Sequence, residues 1–193
     1  EMAEAVEWGV RHVTHLYCAM TDAMNNRWRL TPNPRTAGIL EAVFLEERLT
    51  SELISDGRHL SREMLQVAFR NKGCDGLAIV TDAMRGAGMP DGEYTFGPRH
   101  GRPVVVRNGE ARVPDGTALA SSVCPMNEMV RIFRELVGCP LWQAVRMASL
   151  TPATIVGRQS ELGSLAPGKW ADLLLFDEQV QVRGVWVAGE SAG

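Results

Sequence analysis

Three residues of this 193-residue chain are of types that do acid/base or metal-binding chemistry, and each closes a short strand-like run. Asp82 follows Leu77-Ala78-Ile79-Val80-Thr81, His59 follows Leu53-Ile54 and a polar stretch, and His15 ends Val10-Arg11-His12-Val13-Thr14. A carboxylate takes a proton when ionised and returns it once protonated, which suits general acid/base work. Histidine is the commonest metal ligand. Taken singly, each has a plainer reading: Asp82 as a turn or helix cap, the histidines as hydrogen-bonded structural groups. His12 and His15 are spaced to fall on opposite faces of a strand, so His15, at the strand end, is the one aimed at a shared site.

The elements that must position these groups follow from the periodicity. Leu77, Ile79 and Val80 suit a strand buried on both faces, and Arg85 to Gly92 after it is turn and loop chemistry. Upstream, Glu1 to Gly9 reads as a helix end stopped by glycine, and Ala37 to Leu49 as a helix with Ile39, Leu40, Val43 and Phe44 on its apolar side. Ser61 is placed as the N-cap of a helix running to about Asn71 and ended by Lys72-Gly73. The span from Val10 to Asp82 therefore alternates strand–helix–strand–helix–strand, the βα rhythm of a parallel sheet with polar groups on one rim. Between the first strand and the first full helix, Thr21 to Thr36 carries Arg27, Arg29 and Arg35. This is either a solvated basic loop or a phosphate clamp, since guanidinium groups match phosphate geometry.

Past Asp82 the rhythm changes. Glu93 to Phe96, Val104 to Arg107 and Glu110 to Val113 read as short strands, with Asn108-Gly109 as a hairpin turn. Met126 to Val137 and Leu141 to Ser149 read as helices, Thr151-Pro152-Ala153 as a further helical turn, and Ala171 to Asp177 with Val182 to Val187 as a separate small sheet. Ala120-Ser121-Ser122 admits either close approach of a ligand to the backbone or a tight packing contact. The division expected is 1–150, with a hairpin insertion at about 93–113, and 151–193.

Composition narrows the class. The chain is 45% hydrophobic and 22% charged, ordinary for a soluble globular protein, and its net charge of −3 does not point to nucleic acid. No run is long and apolar enough for a membrane span, and no leader is recognisable. Cys18, Cys74, Cys124 and Cys139 have no CxxC or zinc-ribbon spacing and read as reduced thiols of a cytoplasmic protein. A chain that opens at Glu1 in helix-like sequence reads as the tail of something longer.

In order along the chain stand THLYCAM (14–20), LISDGRHL (53–60), VTDAMRGAGMPDGEYTFG (80–97), DGTALASS (115–122) and AVRMASLTPATIVG followed by LGSLAPGKWADLLLFD. Together these resemble the C-terminal half of the N-acetylglucosamine-6-phosphate deacetylases, within the amidohydrolase superfamily. The last block is common to many amidohydrolases, whereas the THLY–DGRH–VTDA combination is specific. The resemblance implies an α/β fold, the C-terminal part of a (β/α)8 metal-dependent hydrolase barrel, with strands of a small β-sandwich domain at the C-terminus. It implies deacetylation of N-acetylglucosamine-6-phosphate to glucosamine-6-phosphate and acetate.

Position by position, the resemblance assigns His15 as a ligand of the divalent metal, Asp82 as the catalytic acid/base and His59 as a contact to the phosphorylated sugar. Cys18 and Ala19 would line the substrate site, and Leu119, Ala120 and Ser121 would close over the sugar. Arg27 is the choice for the family's arginine that reaches a partner subunit's phosphate, with Arg29 close behind, and a homodimer is implied. Zn or Fe is the expected metal, with Mn or Co as alternatives. Three departures bear on recognition: Cys18 where the family has Asn, Ala120 where it has Gly, and the rewritten arginine loop. The family's other metal ligands, a Glu and a second His, are not in this chain. Three βα units do not close an eight-stranded barrel, and one His with one Asp falls short of the usual set of three protein ligands. The chain is therefore expected to be a fragment of the enzyme, inactive in isolation. The competing readings are an amidohydrolase acting on a different N-acyl amino sugar or a cyclic amide, and a non-catalytic sugar-phosphate-binding subunit.

Overall fold

The computed structural model describes residues 2–20 and 37–192. Helix α1 (Met2–Glu7) leads into β1 (His12–Val13), and α2 (Ile39–Leu45) precedes β2 (Thr50–Leu53). Helix α3 (Arg62–Gly76) then returns the chain to β3 (Leu77–Ile79). The three strands form one parallel sheet in the order β1-β2-β3, with Val13 beside Ser51 and Leu53 beside Ile79. Parallel neighbours need a crossover, and α3 supplies the one between β2 and β3. Its Ser61 cap accepts from the Met64 amide at 3.5 Å, satisfying a donor that the first helical turn leaves over.

Alternation along β2 decides which face is dry. Ser51 and Leu53 are buried on the helix side, while Thr50 and Glu52 are half-exposed on the other. Leu53, Leu77 and Ile79 join Leu65 and Ala68 of α3 in the main core. Met129, Val130 and Phe133 of α4 (Met126–Val137) and Ala144 and Met147 of α5 (Leu141–Ala148) complete it. Among the described residues, Ser51 donates to the Val13 carbonyl at 2.7 Å and Thr151, on α6 (Leu150–Ile155), to the Cys74 carbonyl at 2.6 Å, so these buried hydroxyls are paired.

Two small antiparallel sheets flank this unit. One is β4 (Gly92–Phe96), β5 (Arg102–Arg107) and β6 (Glu110–Arg112), over a second core of Met84, Val104, Val106 and Ala111. Its tight turn holds Asn108 at φ 52 and Gly109 at φ 73, the left-handed pair that a two-residue hairpin needs. The other is β7 (Leu173–Phe176), β8 (Val182–Val187) and β9 (Glu190–Ser191).

Several bounds differ from the sequence expectation, and those nearest the sheet have clear causes. Helix α2 stops at Leu45 because Glu46 leaves the helical region at ψ 106, and a turn through Leu49, whose amide bonds the Glu46 carbonyl, delivers the chain into β2. Helix α3 does break at Gly73 (φ 62), but a further short helical turn carries the chain on to Gly76. Strand β1 is two residues long, so His15 lies in a turn beyond it and the opposite-faces argument does not apply. The edge strand β9 was not anticipated.

Candidate active site at the sheet rim

Leaving β2, the chain runs through Ile54 and Ser55, both buried, and Ser55 Oγ donates to the Met129 carbonyl at 3.0 Å. That anchor fixes where Asp56 begins. Gly57 then turns at φ +72, where a Cβ would also press on Ile132 Cγ2 at 3.4 Å. Asp56 Oδ1 accepts from the backbone amides of Arg58 at 2.9 Å and His59 at 3.0 Å. Its Oδ2 bonds His59 Nδ1 at 2.8 Å, with the two side chains only 4% and 10% exposed. Burial pushes the Asp56 carboxyl up, but the His59 imidazole bond and the two amide bonds outweigh it and hold the group below the usual carboxylate range.

The turn carrying His15 is held from β2. Glu52 accepts from Thr14 Oγ1 at 2.8 Å, from the His15 amide at 3.2 Å and pairs with His12 Nε2 at 3.0 Å. Burial raises the Glu52 carboxyl, and the bonds from His12, Thr14 and the His15 amide bring it down to a net lowering. His12 is thus the structural histidine, its other ring nitrogen on Thr50 Oγ1 at 2.8 Å. His15 is the opposite case. Among the described residues its ring has no hydrogen-bond partner, although Nδ1 is buried. An unpaired buried nitrogen of this kind is costly and calls for an ion, a water or a substrate group.

Asp82 sits just past β3 at φ 44. Its carbonyl accepts from the Ser122 amide at 3.0 Å, and the Met84 amide bonds the Ser122 carbonyl at 3.0 Å. Ala83 and Ser122 form an isolated parallel bridge, which holds Ser122 beside the chain just past β3. Ser121 Oγ lies within hydrogen-bond reach of both the Asp82 carbonyl and Asp82 Oδ2, the latter at 3.2 Å, and its single hydrogen is shared between these two acceptors. His15, Tyr17, Ala19, Asp82 and Ser121 all have positive φ without being glycine. Such strain persists where the surroundings over-determine it, as functional sites do.

Cys18 reports how these pieces meet. Its thiol is pushed up to about 11 by burial and then by the charges of Asp82 and Asp56. Cys18, Asp56 and Asp82 each follow one of the three parallel strands and so stand at the same edge of the sheet. Cys124 is likewise pushed up to about 11, by burial, Asp56 and Glu128. Ala19 is exposed beside Cys18. Leu119 bridges to Arg112, and Ala120 packs on the Met84–Val106 core with its amide on the Ala111 carbonyl at 2.9 Å, so the methyl of Ala120 has a packing role. Arg27, with Arg29 and Arg35, lies outside the described residues.

Three residues assigned no role from the sequence take part: Asp56, Glu52 and Arg58. Asp56 and Arg58 stand in the quoted DGRH motif, and an acidic residue before a histidine at short spacing was the available signal. Arg58 bonds Glu110 and, at 3.1 Å, the Asn108 carbonyl, tying the hairpin sheet to the loop after β2. Among the described residues no three His, Cys, Asp or Glu side chains converge to hold a metal ion. His15 fits such an ion as a single uncommitted ligand. No helix among the described residues is long and apolar enough to cross a membrane.

Residues 2–192 match the amidohydrolase family. The chain is 34% identical over 189 residues to N-acetylglucosamine-6-phosphate deacetylase of Lysinibacillus sphaericus, covering 98% of this chain and 45% of that protein. It is 33% identical over 191 residues to N-acetylgalactosamine-6-phosphate deacetylase of Escherichia coli O157:H7, covering 97% and 46%. The crystal structure of N-acetylglucosamine-6-phosphate deacetylase from Pasteurella multocida superposes with a TM-score of 0.86 at 32% identity, over 98% of this chain and 46% of that one. The chain thus spans a little under half the length of these relatives.

Proposed function

The chain belongs to the amidohydrolase family, and we propose that the protein carrying it removes the acetyl group of N-acetylglucosamine-6-phosphate, releasing acetate and glucosamine-6-phosphate. The observation that carries this reading is the placement of His15, Asp56–His59 and Asp82 beyond the same ends of three parallel strands, with His15 Nδ1 buried and unpartnered among the described residues. The deacetylase names of the relatives add the substrate class. In this reading the three-stranded parallel sheet and its helices, within residues 1–150, are part of a (β/α)8 barrel. Residues 151–193, with the β7–β9 sheet, are part of a small β-sandwich domain. Barrel enzymes place their chemistry at the C-terminal ends of the strands, which is where His15, His59 and Asp82 lie.

A divalent metal, when bound, supplies Lewis-acid polarisation of an amide carbonyl and a lowered pKa for water; Zn or Fe suits the role. His15 would be one ligand, since its ring has no other partner among the described residues. The ligand set would be completed by groups other than those described, because no cluster of three is formed here. Asp82 takes the proton of the attacking water on its carboxylate and returns it to the leaving nitrogen, so that the amine departs neutral. Ser121, donating to Oδ2, keeps the other face of that carboxylate directed at the reaction. His59 contacts the phosphorylated sugar through the ring nitrogen not held by Asp56. Cys18 and Ala19 line the sugar, and Leu119, Ala120 and Ser121 border it. Arg27 meets the phosphate across a homodimer, and the protein works in the cytoplasm.

One observation favours a second sugar. Relatives named for N-acetylgalactosamine-6-phosphate match at 33% and 35% identity, level with the glucosamine relative at 34%. The two substrates are epimers, and the departures at Cys18, Ala120 and the arginine loop are the differences that would bear on which one is taken. The test is acetate release by the protein at its full genomic length, with each phosphorylated sugar and with a cyclic amide, before and after metal removal. Metal-dependent turnover of a phosphorylated N-acetylhexosamine supports the reading. Turnover of the cyclic amide alone overturns it.

A further inference from the structure

The buried pair Asp56–His59 carries more information than its sequence motif. The two oxygens of Asp56 are used differently. Oδ1 is committed to two backbone amides, Arg58 at 2.9 Å and His59 at 3.0 Å, while Oδ2 faces His59 Nδ1 alone at 2.8 Å. An ionised carboxylate can only accept, and Asp56 stays ionised because these bonds offset its burial. The hydrogen of the neutral ring must therefore sit on Nδ1. Among the described residues Nε2 has no partner, so it is the free nitrogen, presented as an acceptor when the ring is neutral and as a second donor when it is charged.

We propose that Asp56 is a positioning residue that holds His59 in its Nδ1–H form and in one ring orientation, so that Nε2 is the atom offered to the ligand. A hydroxyl-rich ligand with an anionic group suits such a nitrogen, because one atom can accept from a sugar hydroxyl or, once protonated, donate to a phosphate oxygen. This rests on the reading above only in taking that ligand to be the phosphorylated sugar.

The two oxygens being inequivalent makes the test decisive. In Asp56→Asn the side-chain oxygen remains where the two amides need an acceptor, and the NH2 group takes the place of Oδ2. It then donates to Nδ1, which must lose its hydrogen, and the ring switches to the Nε2–H form. Long-range 1H–15N spectra of the histidine-labelled full chain, taken where the ring is neutral, report the tautomer directly, with His59→Gln assigning the signal. The expected result is Nδ1–H in the wild type and Nε2–H in Asp56→Asn with an intact amide fingerprint. A wild-type ring already in the Nε2–H form overturns the proposal, and this spectrum decides even if the variant fails to fold. An unchanged tautomer in a folded variant overturns it equally. In the full-length protein, Asp56→Asn should raise KM for the phosphorylated sugar on the order of tenfold with a smaller change in kcat. A reversed tautomer with unchanged KM overturns the proposal, because Nε2 is then not the atom offered to the ligand.

Discussion

The hydroxyl of Ser121 lies 3.2 Å from Asp82 Oδ2 and also bonds the carbonyl of the same aspartate. One residue thus grips both the backbone and the side chain of the proposed acid/base, and both residues have positive φ. Ser121→Ala removes this grip without burying an unsatisfied group. We expect kcat of the full-length protein to fall about tenfold while thermal stability changes by under about 1 kcal/mol. Steady-state kinetics beside a thermal melt checks both halves.

Asp56 makes folding stability pH-dependent with a definite sign. Its folded carboxyl titrates below the unfolded value of about 3.9. Its contribution is therefore full above that value and is lost as pH falls through the lower folded pKa. Urea midpoints measured from neutral pH down to about pH 2 should fall less steeply in Asp56→Asn than in the wild type. At neutral pH the variant should be less stable by about 1–3 kcal/mol. Parallel curves for the two proteins would contradict the assignment.

Glu52 should matter to His15 without touching substrate. Glu52→Ala strips acceptors from Thr14, His12 and the His15 amide together. The expected cost is about 1–3 kcal/mol in denaturant midpoint, with Glu52→Gln between variant and wild type, because an amide oxygen replaces only part of the acceptor set.

The thiols of Cys18 and Cys124, both pushed up to about 11, should be slow towards iodoacetamide at neutral pH. Mass spectrometry of the alkylated chain should show their labelling rising only as the pH approaches that value. In Asp56→Asn, which removes a negative charge near both, labelling should begin at a lower pH.

Much of this arrangement was legible in the residues. The helix expected over about Met126 to Val137 has those bounds in the structure, with Pro125 before it and a left-handed Gly138 after it. Asn108-Gly109 specified its hairpin because few other pairs tolerate two left-handed residues in a row. The strand-ending positions of His59 and Asp82 were visible because apolar runs stop there. The fate of His12 was not legible: only its pairing with Thr50 and Glu52 across the sheet, nearly forty residues away, shows that it is spent on structure. Nor could Ser121 be told from a substrate contact, since the same small residue serves either purpose until its hydroxyl is seen on Asp82. The role of Glu52 was not legible either, because its partners His12, Thr14 and the His15 amide reach it only across the sheet.

The central claim is that Asp82 moves the proton in a metal-dependent deacetylation. The most direct measurement is acetate release from N-acetylglucosamine-6-phosphate by the full-length, metal-loaded protein beside Asp82→Asn, with matched metal content and matched melting curves. The account predicts a loss in kcat of about 10²- to 10⁴-fold with little change in stability. An Asp82→Asn protein that turns over at the wild-type rate would contradict it.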